Sequence, residues 1–280
     1  MRASSRGSQP GRAGFAGLAA VLALSLVLRS YGLLSLPIFT DEAIYLQWAA
    51  DIWAKHTMAS LIIPITDDGK QPLFMWMAGA AMKLLPDPLL AGRTVSVLAG
   101  VASTMGLYLA GRLLGGDRVG LVAALLYAVA PFTLLFDRMA LVDALLNSTG
   151  IWALGIGIYI TTRVRTTRRA LVSGVILGLV LAAARWTKLP ALFLLPFPLL
   201  CLLLVKKRRE VAVPGLALAA GYGLGALLAM PLILVPHAEN QWAMSAKHAM
   251  SLSGLLSFPT EIWWSNARAY WSWIQLYLPS

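Results

Sequence analysis

The chain has 280 residues, 59% of them hydrophobic and only 12% charged, with a net charge of +11. A soluble domain carries roughly 45–50% apolar and about 25% charged residues, so this composition excludes an ordinary soluble fold and predicts an integral membrane protein. The basic residues fall in short clusters between apolar runs, which excludes a nucleic-acid surface and assigns the charge to membrane topology.

Runs long enough to cross about 30 Å of hydrocarbon are expected near 13–34, 91–111, 119–140, 144–162, 170–185, 188–205 and 211–235. The expected fold is all-α, a polytopic transmembrane helical protein of about seven spans, with amphipathic interfacial helices in its first outward loop. A basic tail at 1–12 precedes the spanning module at 13–235, and an aromatic segment follows at 236–280. The first run ends in Leu28-Arg29-Ser30-Tyr31 with no small-residue cleavage pattern, so it reads as an uncleaved anchor.

Orientation follows from the basic bias. Arg2, Arg6, Arg12, Arg112, Arg118, the cluster Arg163–Arg169 and the cluster Lys206–Arg209 share one side with only Asp117 and Glu210 against them. Basic and acidic residues balance on the other side, which predicts a cytoplasmic N-terminus in a multi-pass protein of the cytoplasmic membrane. Asp41, Glu42, Lys70, Asp143 and the chain after about Pro236 then face outward. The long segments 35–90 and 236–280 both lie there, so function is expected outside.

In the first of these, Asp41 to His56 reads as a helix, because Asp41, Tyr45, Trp48 and Ile52 recur on one face. Such a helix lies along the membrane surface, with that face toward the low-dielectric side. Pro64 to Pro72 is turn-rich. Leu73 to Leu85 is too short to span comfortably and reads as a second interfacial helix, leaving at Pro86-Asp87-Pro88. Further on, Cys201 sits in an apolar run without ligand-like neighbours, a small packing residue and no part of a disulfide or metal site. The last segment, with Trp242, Trp263, Trp264, Tyr270, Trp271, Trp273 and Tyr277, has the composition of an interfacial belt.

Several charged residues have both a chemical and a bland reading. Asp41 and Glu42 open a helix, where carboxylates favour the dipole by about 0.3–1 kcal/mol. Asp41 also shares the apolar face, which suits a general base, while Glu42 points aside in a supporting role. Asp143 either marks the interface or, beside Asp41, positions an acceptor or shares a divalent cation. Arg138 needs an anion, which Asp137, Asp143 or a phosphate could supply. Lys70 either snorkels or meets a lipid-linked phosphate, and Arg29, Arg93, Arg185 and Lys188 fall near the same level. His56, His237 and His248 are scattered without metal-ligand spacing, and no Gly-rich phosphate loop follows a strand. Neither a cofactor nor a nucleotide is expected, and a solvated loop is the plainer reading of His237 and Glu239.

Taken in order, these stretches resemble the GT-C glycosyltransferases that use polyprenyl-phosphate sugars, among them the protein O-mannosyltransferases and lipid A aminoarabinose transferases. The resemblance rests on Leu28-Arg29-Ser30-Tyr31-Gly32-Leu33, Phe39-Thr40-Asp41-Glu42-Ala43, Gly69-Lys70-Gln71-Pro72-Leu73-Phe74 and Ala91 to Gly100. Ala130-Pro131-Phe132, Arg138 to Asp143 and Thr187-Lys188-Leu189-Pro190 complete it. It implies Asp41 as the base or acceptor-orienting carboxylate, Lys70 at the lipid phosphate and Asp143 as the acid of the second outward loop. Arg138, with Arg93 or Lys188, would join Lys70 at the leaving phosphate. The implied partners are a polyprenyl-phosphate sugar, a lipid, glycan or protein acceptor, and membrane lipid. Gln71 departs from the pattern, standing where a second proline is common. Two other readings remain: a transporter or flippase, which calls for charges at mid-membrane, and a non-catalytic assembly subunit.

Overall fold

A computed structural model describes residues 12–55, 57–205, 207, 210–243 and 260–277. Residues 1–11 of the basic tail, His56, His248 and the side chains of Trp263, Trp273 and Tyr277 lie outside the described residues. The chain divides into two compact units, Met1–Gln241 and Trp242–Ser280. Among the described residues every regular element is helical.

The protein is an all-α polytopic membrane protein. Among the described residues four helices are long and apolar enough to cross a membrane: α6 (Pro88–Gly115), α9 (Val142–Arg163), α10 (Thr167–Thr187) and α12 with α13, which together run Ala212–Leu234. Apolar side chains stand exposed along them, among them Leu171, Val172, Val175, Ile176 and Leu179 on α10, as a hydrocarbon solvent allows. The other three expected crossings are shorter or interrupted. α1 (Arg12–Ser30) contributes the apolar run Gly14–Ser30, about 26 Å at 1.5 Å per residue. The run expected at 119–140 breaks at Pro131 into α7 (Asp117–Val129) and α8 (Pro131–Phe136), since proline lacks the N–H that would continue the helix.

The run at 188–205 carries Pro190, Pro196 and Pro198 and becomes 3-10 turns at Leu189–Leu194 and Cys201–Leu204 around α11 (Pro196–Leu200). A 3-10 turn rises about 2 Å per residue against 1.5 Å in an α-helix. Leu189–Leu204 therefore reaches about 28 Å, close to a bilayer core, with few residues.

Helix α6 is the hub, packing against α1, α7 and α9, and α9 leads on to the α10 and α12 pair. That pair meets backbone to backbone. A Cβ added at Gly174 would lie 2.6 Å from the Ala217 carbonyl oxygen, and one at Gly178 2.9 Å from that of Gly221, the close approach that small residues permit between membrane helices. Gly174→Leu is expected to lower stability by about 1–3 kcal/mol. Gly223→Leu, where an added Cβ meets nothing within 4 Å, should stay within about 0.5 kcal/mol of the parent. Thermal unfolding in detergent distinguishes the two, and equal shifts would reject the packing account.

The first connection folds as a cap on one end of this bundle. It contains α2 (Thr40–Lys55), α3 (Met58–Leu61), α4 (Ile63–Asp68) and α5 (Leu73–Met82). Both longer helices fall where the sequence places them. Their surroundings differ from expectation: Tyr45, Ala49 and Ile52 of α2 and Phe74, Met75 and Ala78 of α5 join a core with Val95, Ala99 and Leu141. The apolar face of α2 is thus turned to protein, because α5 and α6 supply the low-polarity surface expected of lipid. In the second unit, α14 (Thr260–Tyr277) is helical and exposes Trp264, Tyr270 and Trp271.

Candidate active site

Glu42 fixes the frame of the site. Its carboxylate is fully buried against Arg93, with Arg93 Nε donating to Oε1 and Nη2 to Oε2, both at 2.9 Å. The backbone N–H of Phe39 donates to Oε2 at 2.9 Å and that of Ala140 to Oε1 at 2.6 Å. The Phe39 bond is the backward half of a capping box, a third-position glutamate closing the N-terminus of α2. Burial alone would raise the Glu42 pKa, but hydrogen bonds from Arg93, Phe39 and Ala140 and the Arg93 charge hold it below the usual range. One carboxylate thereby ties the segment ahead of Asp41 to the segment ahead of Asp143.

Arg93 is fully committed to the same frame. A guanidinium has five N–H donors, and here Nη1 donates to the carbonyls of Leu33 and Leu36 while Nη2 also reaches that of Pro37. The expected contact of Arg93 with a phosphate is therefore corrected: every donor is used within the protein. Glu42 clamps these segments together.

Around Tyr45 the expected site residues converge. Lys70 Nζ donates to its hydroxyl at 3.3 Å and lies 5.4 Å from its ring centroid. The Asp41 side chain, one helical turn earlier, is within hydrogen-bonding reach. Burial first, and then the negative charges of Asp41, Asp143 and Asp68, push the Tyr45 pKa up, so the phenol keeps its proton and can donate. Lys70 pairs with Asp68 at 3.6 Å and Lys188 with Asp143 at 2.8 Å, all four side chains partly exposed. Asp41 has no ion-pair partner among the described residues. Tyr45 and Asp68 escape the sequence reading as site residues, although Tyr45 stands on the Asp41 face at helical spacing.

The lysine turn is held from far along the chain. Gly69 ends α4 at φ 63°, and a Cβ there would lie 2.4 Å from the Asn240 carbonyl oxygen. Asn240 Nδ2 donates to the Thr66 carbonyl at 3.2 Å, and Gln71 Nε2 donates to Gln241 Oε1 at 2.9 Å. Gln71, out of pattern in the sequence, thus contacts the segment after the last span.

Arg138 meets neither Asp137 nor Asp143. Its Nη2 donates to the carbonyls of Tyr31 and Gly32, capping the end of α1, and its Nε is buried without a hydrogen-bond partner. Asp137 instead pairs with buried Arg29 at 2.9 Å and accepts from the Tyr127 hydroxyl at 3.0 Å. Tyr127 in turn accepts from Asn147 Nδ2 at 2.7 Å. His237 and Glu239 stand 3.7 Å apart and exposed, away from any gathering of ligands. Among the described residues no three His, Cys, Asp or Glu side chains group to hold a metal.

From Asp143 a cleft of about 540 Å³ runs along α9 to Leu154, walled by Phe132 and Phe136 of α8 and by Leu194 and Phe197. Eleven residues of helix carry it about 16 Å from its charged end. Thr133, Asp137, Asp143 and Asn147 are polar, with Asp137 paired to Arg29, and the remaining walls apolar, the form of a groove for an apolar chain with a polar head.

Residues 69–235 match the family described as dolichyl-phosphate-mannose-protein mannosyltransferase. The chain belongs to this family. It is a membrane glycosyltransferase of the GT-C type, a class with a polyprenyl-phosphate sugar as donor and a glycan or protein as acceptor. The match opens at the Gly69-Lys70 turn and takes in Arg138, Asp143, Arg185 and Lys188, leaving Asp41 and Glu42 ahead of it. No curated protein matches the chain significantly.

Proposed function

We propose that this protein transfers a sugar from a polyprenyl phosphate to an acceptor hydroxyl at the outer face of the cytoplasmic membrane. The observation that carries this reading is the meeting of Asp41, Asp143 and Lys70 around the Tyr45 hydroxyl, beside a cleft suited to a lipid tail. Asp41 takes the proton of the acceptor hydroxyl while its oxygen bonds to the anomeric carbon. The bond from that carbon to the phosphate oxygen breaks, and its electron pair leaves with the phosphate. Attack opposite the leaving group inverts the anomeric centre.

Lys70 and Lys188 meet the charge as it develops on the phosphate, where a fixed cation in a partly dry site acts most strongly. Asp143, tethered by Lys188, orients the acceptor. The basic bias of the opposite side supports an outward site.

Membranes containing the protein, a labelled polyprenyl-phosphate sugar and a hydroxyl acceptor test the reading. Label should pass to the acceptor only when protein and lipid donor are both present, and its absence across glycan and protein acceptors would reject the transferase. Lys70→Ala is expected to raise the donor KM about 10-fold, as loss of one charged contact does, with a smaller change in kcat. A KM equal to the parent's would remove Lys70 from the phosphate.

A further inference from the structure

We infer that Arg185 is a further phosphate-binding residue of this site, offering its Nη1 group to an oxygen of the donor phosphate; this rests on the lipid-phosphate donor proposed above. Arg185 occupies the last turn of α10, an end that leans on α5 through Trp186 and Trp76, whose ring centroids are 5.1 Å apart. Its Nη2 donates at 2.9 Å to Gln241 Oε1, the same oxygen that accepts from Gln71. Gln241 Nε2 donates to the Leu232 carbonyl at 2.6 Å. Both glutamines are buried, so the guanidinium is held by fixed partners.

Hydrogen bonds, ion pairs and chain neighbours link Arg185 to the site. Arg185 meets Gln71 through Gln241; Gln71 adjoins Lys70, which bonds to Tyr45; Tyr45 feels Asp143, which pairs with Lys188; and Lys188 is three residues from Arg185. Along these links each lysine answers a carboxylate. Asp41 and Arg185, in contrast, have no ion-pair partner among the described residues, and they offer a proton acceptor and a cation for the leaving group.

The two fully buried arginines show what a structural guanidinium looks like here. Arg93 spends all five donors within the protein, and Arg29 is paired with Asp137. Arg185 has one acceptor, an amide oxygen, and its Nη1 is buried without a hydrogen-bond partner. In this half-buried side chain a nitrogen shut off from water without an acceptor is costly, and a phosphate oxygen matches its fork geometry. The same chemistry would accept a free phosphate or the phosphate of a lipid.

The test measures binding of polyprenyl phosphate, and separately of inorganic phosphate, to the full chain in nanodiscs. Arg185→Gln should weaken polyprenyl phosphate binding about 10-fold or more, and Arg185→Lys should recover part of it. Gln241→Glu places a carboxylate on the guanidinium but gives up the bond to the Leu232 carbonyl; it should weaken polyprenyl phosphate binding clearly more than Gln241→Met, which gives up the same bond without adding charge, a difference that a packing role would not give, and this comparison also decides the matter if Arg185→Gln does not fold. Unchanged affinity in both Arg185→Gln and Gln241→Glu, with the parent binding well, would overturn this inference and leave the transferase standing. A parent protein that binds no polyprenyl phosphate would overturn both. Arg185-dependent binding of inorganic phosphate with no preference for the lipid-linked form would assign the residue to a soluble anion and overturn its donor role.

Discussion

Asp41→Asn is expected to slow sugar transfer by about 10²–10⁴-fold, the range that a positioned general base supplies, while polyprenyl phosphate binding stays within about 3-fold of the parent. The substitution keeps the size and the reach to Tyr45 and removes the ability to take a proton. Of the two expected carboxylates Asp41 suits this role better. Asp143 is held by Lys188 at 2.8 Å, whereas Asp41 has no ion-pair partner among the described residues and shares its surroundings with a protonated phenol. Initial rates at saturating donor, set beside equilibrium binding of the lipid, separate the outcomes. Turnover near the parent value would refute the base assignment, and equal losses of binding and turnover would make Asp41 a contact to the donor.

The largest effect on stability is expected at the Glu42 and Arg93 pair. Replacing either partner alone strands a buried charge, which costs about 3–5 kcal/mol, whereas replacing both with apolar residues of similar volume can be nearly neutral. Glu42→Leu and Arg93→Met should each sharply lower the unfolding midpoint in detergent, and the double variant should recover only part of the loss, since the N–H groups of Phe39 and Ala140 and the carbonyls of Leu33, Leu36 and Pro37 stay without their partners. The pair also predicts the acid limb of stability. The folded carboxyl lies below its ordinary range, so its contribution is complete above the unfolded pKa of about 4.3 and is lost as pH falls through the folded value. Stability should therefore drop in acid, and Glu42→Gln should flatten that drop. Single substitutions as mild as surface changes, or a double variant as damaged as the singles, would refute the clamp.

The sequence carries most of the helix boundaries because apolar runs, prolines and basic turns are local signals. The start of α2 near Asp41 and the short α5 after Pro72 follow from residues close in the chain, whereas the runs at 119–140 and 188–205, expected as continuous spans, break at Pro131 and at Pro190, Pro196 and Pro198. Which charges meet which is a matter of packing between distant segments, and there sequence reasoning succeeds in part. Asp41, Lys70, Asp143 and Lys188 do gather, since their common level follows from counting along the spans. Arg93 shares that level but is consumed by Glu42, one residue from Asp41, and the helical face of Glu42 gives no sign of a partner fifty-one positions away. Arg138 satisfies carbonyls at the end of α1, a demand that no side-chain pattern displays. Gln71 and Gln241 were least legible, because a neutral amide carries no charge or periodic signal until its neighbour is known.

The bond between Gln71 and Gln241 joins positions 170 apart, and that separation has a consequence for biosynthesis. The turn carrying Lys70 leaves the ribosome early, but its buttress at Asn240 and Gln241 emerges only after α12 and α13 have been made. During translation the acidic half of the site, tied through Glu42 to residues no later than Ala140, can be assembled first. The cationic half is completed by the last piece of the unit to be synthesised, so a nascent chain acquires its carboxylate framework before its lysine turn is locked in place.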